Sequence, residues 1–449
     1  MLGMTVSRTH YHLQRLLEQN LVRVVGRGRK RWKEEVYYSP TARHFLVHPR
    51  VGCGDADVAT ALERSVQAAF LDWRRREILG VDLSQVARHV VLEALQVKAG
   101  EHVLLLFGPP SQELGEALLV ELDALGARTA VRLWSRNLVL RTLDRHTPES
   151  LASLSFIPQE LDAKLDAVIF LSSNVPEGAP PNEEQRSKLP HLLETVSRWN
   201  LSIRRRGIRY LEVALPHRGE LEGGTVTPEE AIDLFWRSLT SNPEVIRSRG
   251  RAVLAGLRPG RALSITGRGT ELTLVVDPES AHLSDGVISK DDLKAGRTFE
   301  TLPAGALAFL PDPARVNGVF AADYTFTGGR HYRRVRVRLR KGRIVEIQAR
   351  SGTAELRNSL DAAAGDADLV AEFGIGLNEA GSGLTGKPVL DACLSGSVTL
   401  SFGNNELLGG NVRSTLNLVM PATGLTITAD GTDLVDRGRL VMSEEAESA

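Results

Sequence analysis

From Val81 onward the chain alternates amphipathic helical stretches with short apolar runs, and after about Gly260 the helical stretches nearly vanish. That change of period constrains the fold more than any other feature. VDLSQVARHVVLEAL reads as a helix, then a KAGE turn leads into the buried run His102–Phe107. SQELGEALLVELDALGA reads as the next helix, with Gly126 as its C-cap. Residues 129–134 and 165–174 read as further strands. Strands separated by helices imply βαβ units and a parallel sheet with both faces covered. TVTPEEAIDLFWRSL supplies Thr227 as N-cap and Glu230 three residues on, a capping box ahead of another helix.

Beyond Gly260, ALSIT, ELTLVV, RRVRVRLRKGRIVEIQA, SVTLSF, TLNLVMP and GLTITADGTDL alternate apolar and polar residues between glycine-rich turns. They predict a β-rich region with one inserted helix around Glu355–Glu372. Side chains alternate across a strand, so Arg334, Arg336, Arg338 and Arg340 share one face while Val335, Val337 and Leu339 share the other. An arginine face is solvated and attracts acidic partners; equally, charge keeps an exposed strand from aggregating.

The first 50 residues differ from both regions. Thr5, Ser7 and Thr9 precede a helical pattern of His12, Leu13, Leu16 and Leu17 that stops at Asn20. Strands are expected at Val22–Val25 and Val36–Tyr38, joined by the basic loop GRGRKRWKEE. After Gly52–Gly54, an apolar-periodic helix is expected from Val58 to about Trp73. The partition is therefore 1–50, a partial winged-helix-like module; 51–80, a linker helix; 81–255, an α/β domain; 256–442, a β-rich domain; and 443–449, a disordered tail. The fold class is α/β plus β-rich α+β.

Lys+Arg and Asp+Glu both number 55 in 449 residues, so no global charge drives the chain onto nucleic acid or membrane. The two cysteines, Cys53 and Cys393, form no CxxC pair, which excludes a disulfide scaffold and fits a cytoplasmic protein. No apolar run approaches the roughly 20 residues that span a bilayer. GxSxG, P-loop and strand-linked GxGxxG patterns are missing as well.

SRTHYHLQRLLEQNLVRVVGRGRKRWKEEVYY resembles the recognition helix and wing of ArsR-type repressors, which carry further helices upstream. On that resemblance Ser7, Arg8 and His12 would face a groove, and Arg27, Arg29, Lys30 and Arg31 would contact phosphates. Winged-helix modules of similar pattern bind the leader segments of ribosomally made, later modified peptides, so a peptide is the other occupant.

VARHVVLEALQVKAGEHVLLLFG, LDAVIFL, GIRYLEVALP, TLPAGALAFLPDPARVNGVF, EFGIGLN, SGSVTLSFG and NVRSTLNLV together resemble the aminopeptidase T family over roughly Val81–Arg439. The resemblance implies a homodimer with two divalent metals held by carboxylates, histidines and a tyrosine. At the matching positions this chain has Ala306, Glu372, Thr399, Glu406, Asn417 and Val419. One retained carboxylate does not make a dinuclear site, so no metal or cofactor is expected. The same losses count against a dihydroxypyridine dioxygenase, which resembles this family. His282 and His331 are read as surface residues near turns.

The expectation is a catalytically inactive, aminopeptidase-like protein that binds a peptide or precursor peptide and guides it to modifying enzymes in natural-product biosynthesis. Glu372, Asn378, Arg413 and Asn417 would hold the peptide by strand addition, with Arg334, Arg336 and Arg338 on a second, basic surface. A ligand-responsive transcription regulator that binds DNA is the alternative. A divergent active metallo-aminopeptidase is the third reading.

Overall fold

A computed structural model describes residues 22–30, 33–40, 75–76, 79–172, 181–216 and 218–441, giving backbone alone for the first two segments. The expectations placed on Ser7, Arg8, His12, Arg31, the helix from Val58 and the tail at 443–449 lie outside the described residues. The chain divides into two units, Met1–Ile78 and Leu79–Ala449.

In the first unit β1 (Val22–Lys30) pairs antiparallel with β2 (Lys33–Pro40). The basic segment expected as a loop is mostly strand, so Arg27, Arg29 and Lys30 stand on β1. The register is irregular between Val24 and Gly26, and Arg29 falls opposite Glu34.

In the second unit, β3 (His102–Phe107), β4 (Arg128–Leu133), β5 (Ala167–Ser172) and β6 (Arg209–Ala214) form the expected parallel sheet. Successive residues Leu104 and Leu105, and Val168 and Ile169, are buried, as a sheet covered on both faces requires. The first helix starts at Leu83, where Asp82 accepts from the Ser84 amide, and continues as a π-helical turn over His89–Ala94. Gly126 ends the helix Gln112–Leu125 at φ 79°. The Thr227–Glu230 capping box opens the helix Pro228–Leu239, each residue accepting from the other's backbone amide.

Later in the chain, β7 (Ala262–Gly267), β8 (Thr270–Val275), β12 (Asn317–Thr327), β13 (Arg330–Arg340), β14 (Arg343–Gln348), β18 (Thr426–Ala429), β19 (Thr432–Asp436) and β20 (Arg439–Leu440) form one antiparallel sheet, ordered β14-β13-β12-β8-β7-β18-β19-β20. A second sheet runs β17-β16-β15-β11-β9, from β9 (His282–Ser284), β11 (Ala306–Phe309), β15 (Val370–Gly376), β16 (Val398–Gly403) and β17 (Asn417–Ala422). Phe320, Val335, Val337 and Leu339 from the first share a core with Phe309, Phe373, Leu400 and Phe402 from the second. The remaining strand, β10 (Phe299–Leu302), leaves the β-rich region and pairs parallel with β6, extending the parallel sheet at its edge. The boundary expected at 255/256 is thus crossed by hydrogen-bonded backbone.

The inserted helix is shorter than expected, Thr353–Asp361. It gives way to a turn in which Gly365 takes φ 84° against the Arg413 carbonyl, so Glu372 lies on β15 and not at a helix end. Lys290–Lys294 and Pro388–Cys393 add helices that the alternation did not announce.

Candidate functional site

Strand register decides which side chains meet. Ala306 pairs with Gly376 and Ala308 with Gly374; Gly374 pairs with Thr399, Glu372 with Ser401, Ser401 with Val419, and Gly403 with Asn417. Alternation therefore places Ala306, Glu372, Thr399, Asn417 and Val419 on one face, opposite the face that carries Phe309, Phe373 and Phe402. Pairing of β9 with β11 adds His282 and Ser284 to the same face.

Glu372 is the ionisable group at the centre of this face. Burial raises its carboxyl to about pH 7. It is densely surrounded yet keeps part of its surface open to solvent. No hydrogen bond or ion pair reaches it from the described residues. A Cβ built on Gly374 would stand 3.8 Å from Glu372 Oε1 and 3.6 Å from the Thr399 Cβ, so the glycine leaves a gap between these two side chains. Thr399 is buried, and its Oγ1 also lacks a hydrogen-bond partner. An acid and a hydroxyl, both unpartnered, face a floor of alanine and glycine.

The flank is differently built. Glu300 is buried, accepts from Ser284 Oγ at 2.6 Å and from the amides of Thr301 and Gly286, and burial lifts it to about 8. His282, half-buried on β9, corrects the expectation of a surface residue. Burial and then Arg297 lower its pKa, while Asp292 and Asp285 oppose the shift. His331 does follow a turn, but its Nε2 meets the Gly386 carbonyl at 2.8 Å and its ring packs against Tyr324 and Phe326.

Behind the sandwich core sits a saturated carboxylate. Asp391 accepts from Tyr324 OH at 2.5 Å, Thr385 Oγ1 at 2.6 Å, Thr385 N at 2.7 Å and Gly386 N at 3.1 Å. Burial outweighs those donors and holds it near 6. Next to it Lys387, buried, reaches Glu220 at 3.0 Å and the Leu215 carbonyl at 3.2 Å, tying this loop to the α/β half.

The other expected ligands scatter. Asn378 is buried and its amide is consumed: Nδ2 donates to the Ala304 and Ser238 carbonyls, and Oδ1 accepts from Ser241 Oγ and the Ala380 amide. It is a tie between elements, which corrects its expected role as a ligand. Asn417 is exposed at the start of β17, and Arg413 is exposed and paired with Glu406 at 2.8 Å. Arg334, Arg336, Arg338 and Arg340 are exposed above buried Val335, Val337 and Leu339, but on the eight-stranded sheet, so they are not part of the Glu372 face. Arg338 pairs with Glu346, and Arg334 sits at φ 51° where the ladder skips a pair. Sequence reading missed Ser284–Glu300 and Tyr324–Asp391, whose partners are far apart in the chain.

This architecture, a parallel α/β sheet joined to two packed antiparallel sheets, is that of aminopeptidase T-like folds. The wild-type aminopeptidase T structure, AmpT from Thermus thermophilus, matches with a TM-score of 0.60 and 18% identity, covering 80% of this chain and 99% of that one. The structure of 2,5-dihydroxypyridine dioxygenase from Pseudomonas putida KT2440 matches at 0.50 and 17%, covering 81% and 98%. The family model for NicX, 2,5-dihydroxypyridine 5,6-dioxygenase, matches residues 230–442. No curated protein matches the chain. At these identities the likeness shows the fold alone.

The metals implied by the resemblance do not fit the residues present. Ala306 and Val419 donate nothing, Thr399 and Asn417 are neutral, and Glu406, on the turn after β16, is paired with Arg413, which leaves Glu372 as the one carboxylate of the set on this face. Among the described residues no three of His, Cys, Asp and Glu lie close enough to hold an ion. What the face can do is pair a cation with Glu372, accept or give a proton near neutrality, and hydrogen-bond through Thr399. No helix among the described residues is long and apolar enough to cross a membrane.

Proposed function

We propose that the face around Glu372 binds the amino-terminal end of a peptide without hydrolysing it. The peptide's ammonium pairs with Glu372, and its first residues lie over the floor formed by Ala306, Ala308 and Gly374. The observation that carries the reading is the half-buried Glu372 carboxyl with no partner among the described residues, beside the buried, unpartnered Thr399 hydroxyl. A buried carboxylate is costly unless paired, so a site that keeps one open is suited to an incoming cation. On this reading the physiological ligand is a precursor peptide held for a modifying enzyme, and the arginines of β13 face that enzyme or an acidic stretch of the peptide.

Fluorescence anisotropy with short labelled peptides tests this. Free amino termini should bind about tenfold more tightly than acetylated ones, and Glu372→Gln should erase the difference. Equal binding of both forms would sink the proposal. So would two tightly bound divalent ions per purified chain together with metal-dependent release of amino-terminal residues.

A second reading rests on the β1–β2 hairpin, whose first strand carries Arg23, Arg27, Arg29 and Lys30. It is a ligand-responsive regulator that binds DNA. A salt-dependent shift of DNA upstream of the gene would favour it, and no shift at low salt would remove it.

A further inference from the structure

A crevice of about 80 Å³ lies between the helix Glu183–Arg205 and the edge of the parallel sheet, where β10 joins β6. Its walls include Asn200 and Arg204 from the helix, Tyr210 and Glu212 from β6, and Phe299 from β10. We propose that it binds a small zwitterionic α-amino acid, carboxylate toward Arg204 and ammonium toward Glu212 and the Asn200 amide. This goes beyond the peptide reading and does not depend on it.

Three observations carry the assignment. First, Asn200 Oδ1 is buried with no hydrogen-bond partner among the described residues, and an enclosed acceptor without one calls for a donor. Second, the crevice holds one cation and one anion that, among the described residues, have no charged partner in contact. Arg204 donates to the Glu406 backbone carbonyl and feels the Glu406 carboxylate at longer range, while that carboxylate is itself paired with Arg413. Glu212 touches Ser172 and feels Lys387 at longer range, while Lys387 itself is bonded to Glu220. Burial disfavours both charges, pushing Arg204 down and Glu212 up. A simple ammonium would satisfy Glu212 and face Arg204; a simple carboxylate would do the reverse. A molecule bearing both charges satisfies both. Third, the space is small. A cavity of about 150 Å³ takes a benzene, so this crevice suits a glycine- or alanine-sized molecule. The rings of Tyr210 and Phe299, stacked with centroids 5.5 Å apart, close one side.

Calorimetry on the full chain with alanine, propionate and ethylamine tests the assignment. Saturable binding of alanine is expected, at least about tenfold tighter than either mono-ion. Glu212→Gln and Arg204→Gln should each weaken it by about tenfold or more. Alanine binding no better than ethylamine or propionate would overturn the proposal. So would unchanged affinity in both variants. Should either variant fail to fold, a crystal structure of the unaltered protein soaked in alanine decides: alanine between Arg204 and Glu212 supports the site, and its absence there overturns it.

Discussion

Asp391 and Glu372 are both carboxylates enclosed in the β-rich half, and burial raises both. Around Asp391 two side-chain hydroxyls and two backbone amides converge. Around Glu372 no donor comes forward among the described residues, and Gly374, two residues along the same strand, leaves space between it and Thr399. The difference separates a carboxylate that holds the chain together from one that the fold does not need. The Asp391 donors come from β12 and from the loop that Lys387 fastens to Glu220, so they knit separate segments. Glu372 knits nothing, and a group kept at a desolvation cost without structural return is a candidate for use.

Mutation should widen this contrast. Asp391→Ala strands Tyr324 OH, the Thr385 hydroxyl and two amides in the interior, and should cost about 3–5 kcal/mol. Urea unfolding monitored by tryptophan fluorescence checks it. Tyr324→Phe removes one of the four donors and should cost about 1.5–3 kcal/mol in the same assay. Glu372→Gln removes a desolvated charge that has no partner, so stability should stay within about 0.5 kcal/mol or rise. A loss of about 2 kcal/mol or more would show that Glu372 is structural and collapse the comparison.

Acidity offers another handle. Glu372 near 7 and Glu300 near 8 are raised above the ordinary glutamate value of 4.5. A raised carboxyl binds its proton more tightly in the folded state. Its contribution is fully present below about 4.5 and is lost as pH rises through 7 and 8. The thermal midpoint should therefore fall between pH 5 and pH 9. Glu372→Gln should flatten the part of that fall nearest pH 7, and Glu300→Gln the part nearest pH 8.

Much of this was legible in the chain. The alternation after Val81 marks β3 to β6 and their helices, because a buried parallel strand and an amphipathic helix differ in period. The Thr227–Glu230 box and Gly126 mark their ends for local reasons. The arginine alternation on β13 is legible too, since a strand's two faces are written directly in its sequence. The site was half legible. Ala306, Thr399, Asn417 and Val419 could be placed by resemblance, and the register puts them on one face with Glu372. Glu372 itself was misplaced on a helix, since the alanine-rich stretch before it has helical propensity that the Gly365 turn overrides. His282 sits in a three-residue strand, too short to show a period. The Asp391 network joins residues 67 positions apart, and no local pattern announces such a pair.

One consequence follows from β10, the four-residue strand that crosses from the β-rich region to the edge of the parallel sheet. During synthesis, β6 leaves the ribosome long before Phe299 does. Until then the nascent α/β half presents an uncovered sheet margin, ready to pair with any extended chain nearby. The order of synthesis therefore builds a waiting period into the life of each molecule. Fragments ending near residue 255 should precipitate when expressed alone, whereas fragments carried past residue 302 should stay in solution more readily.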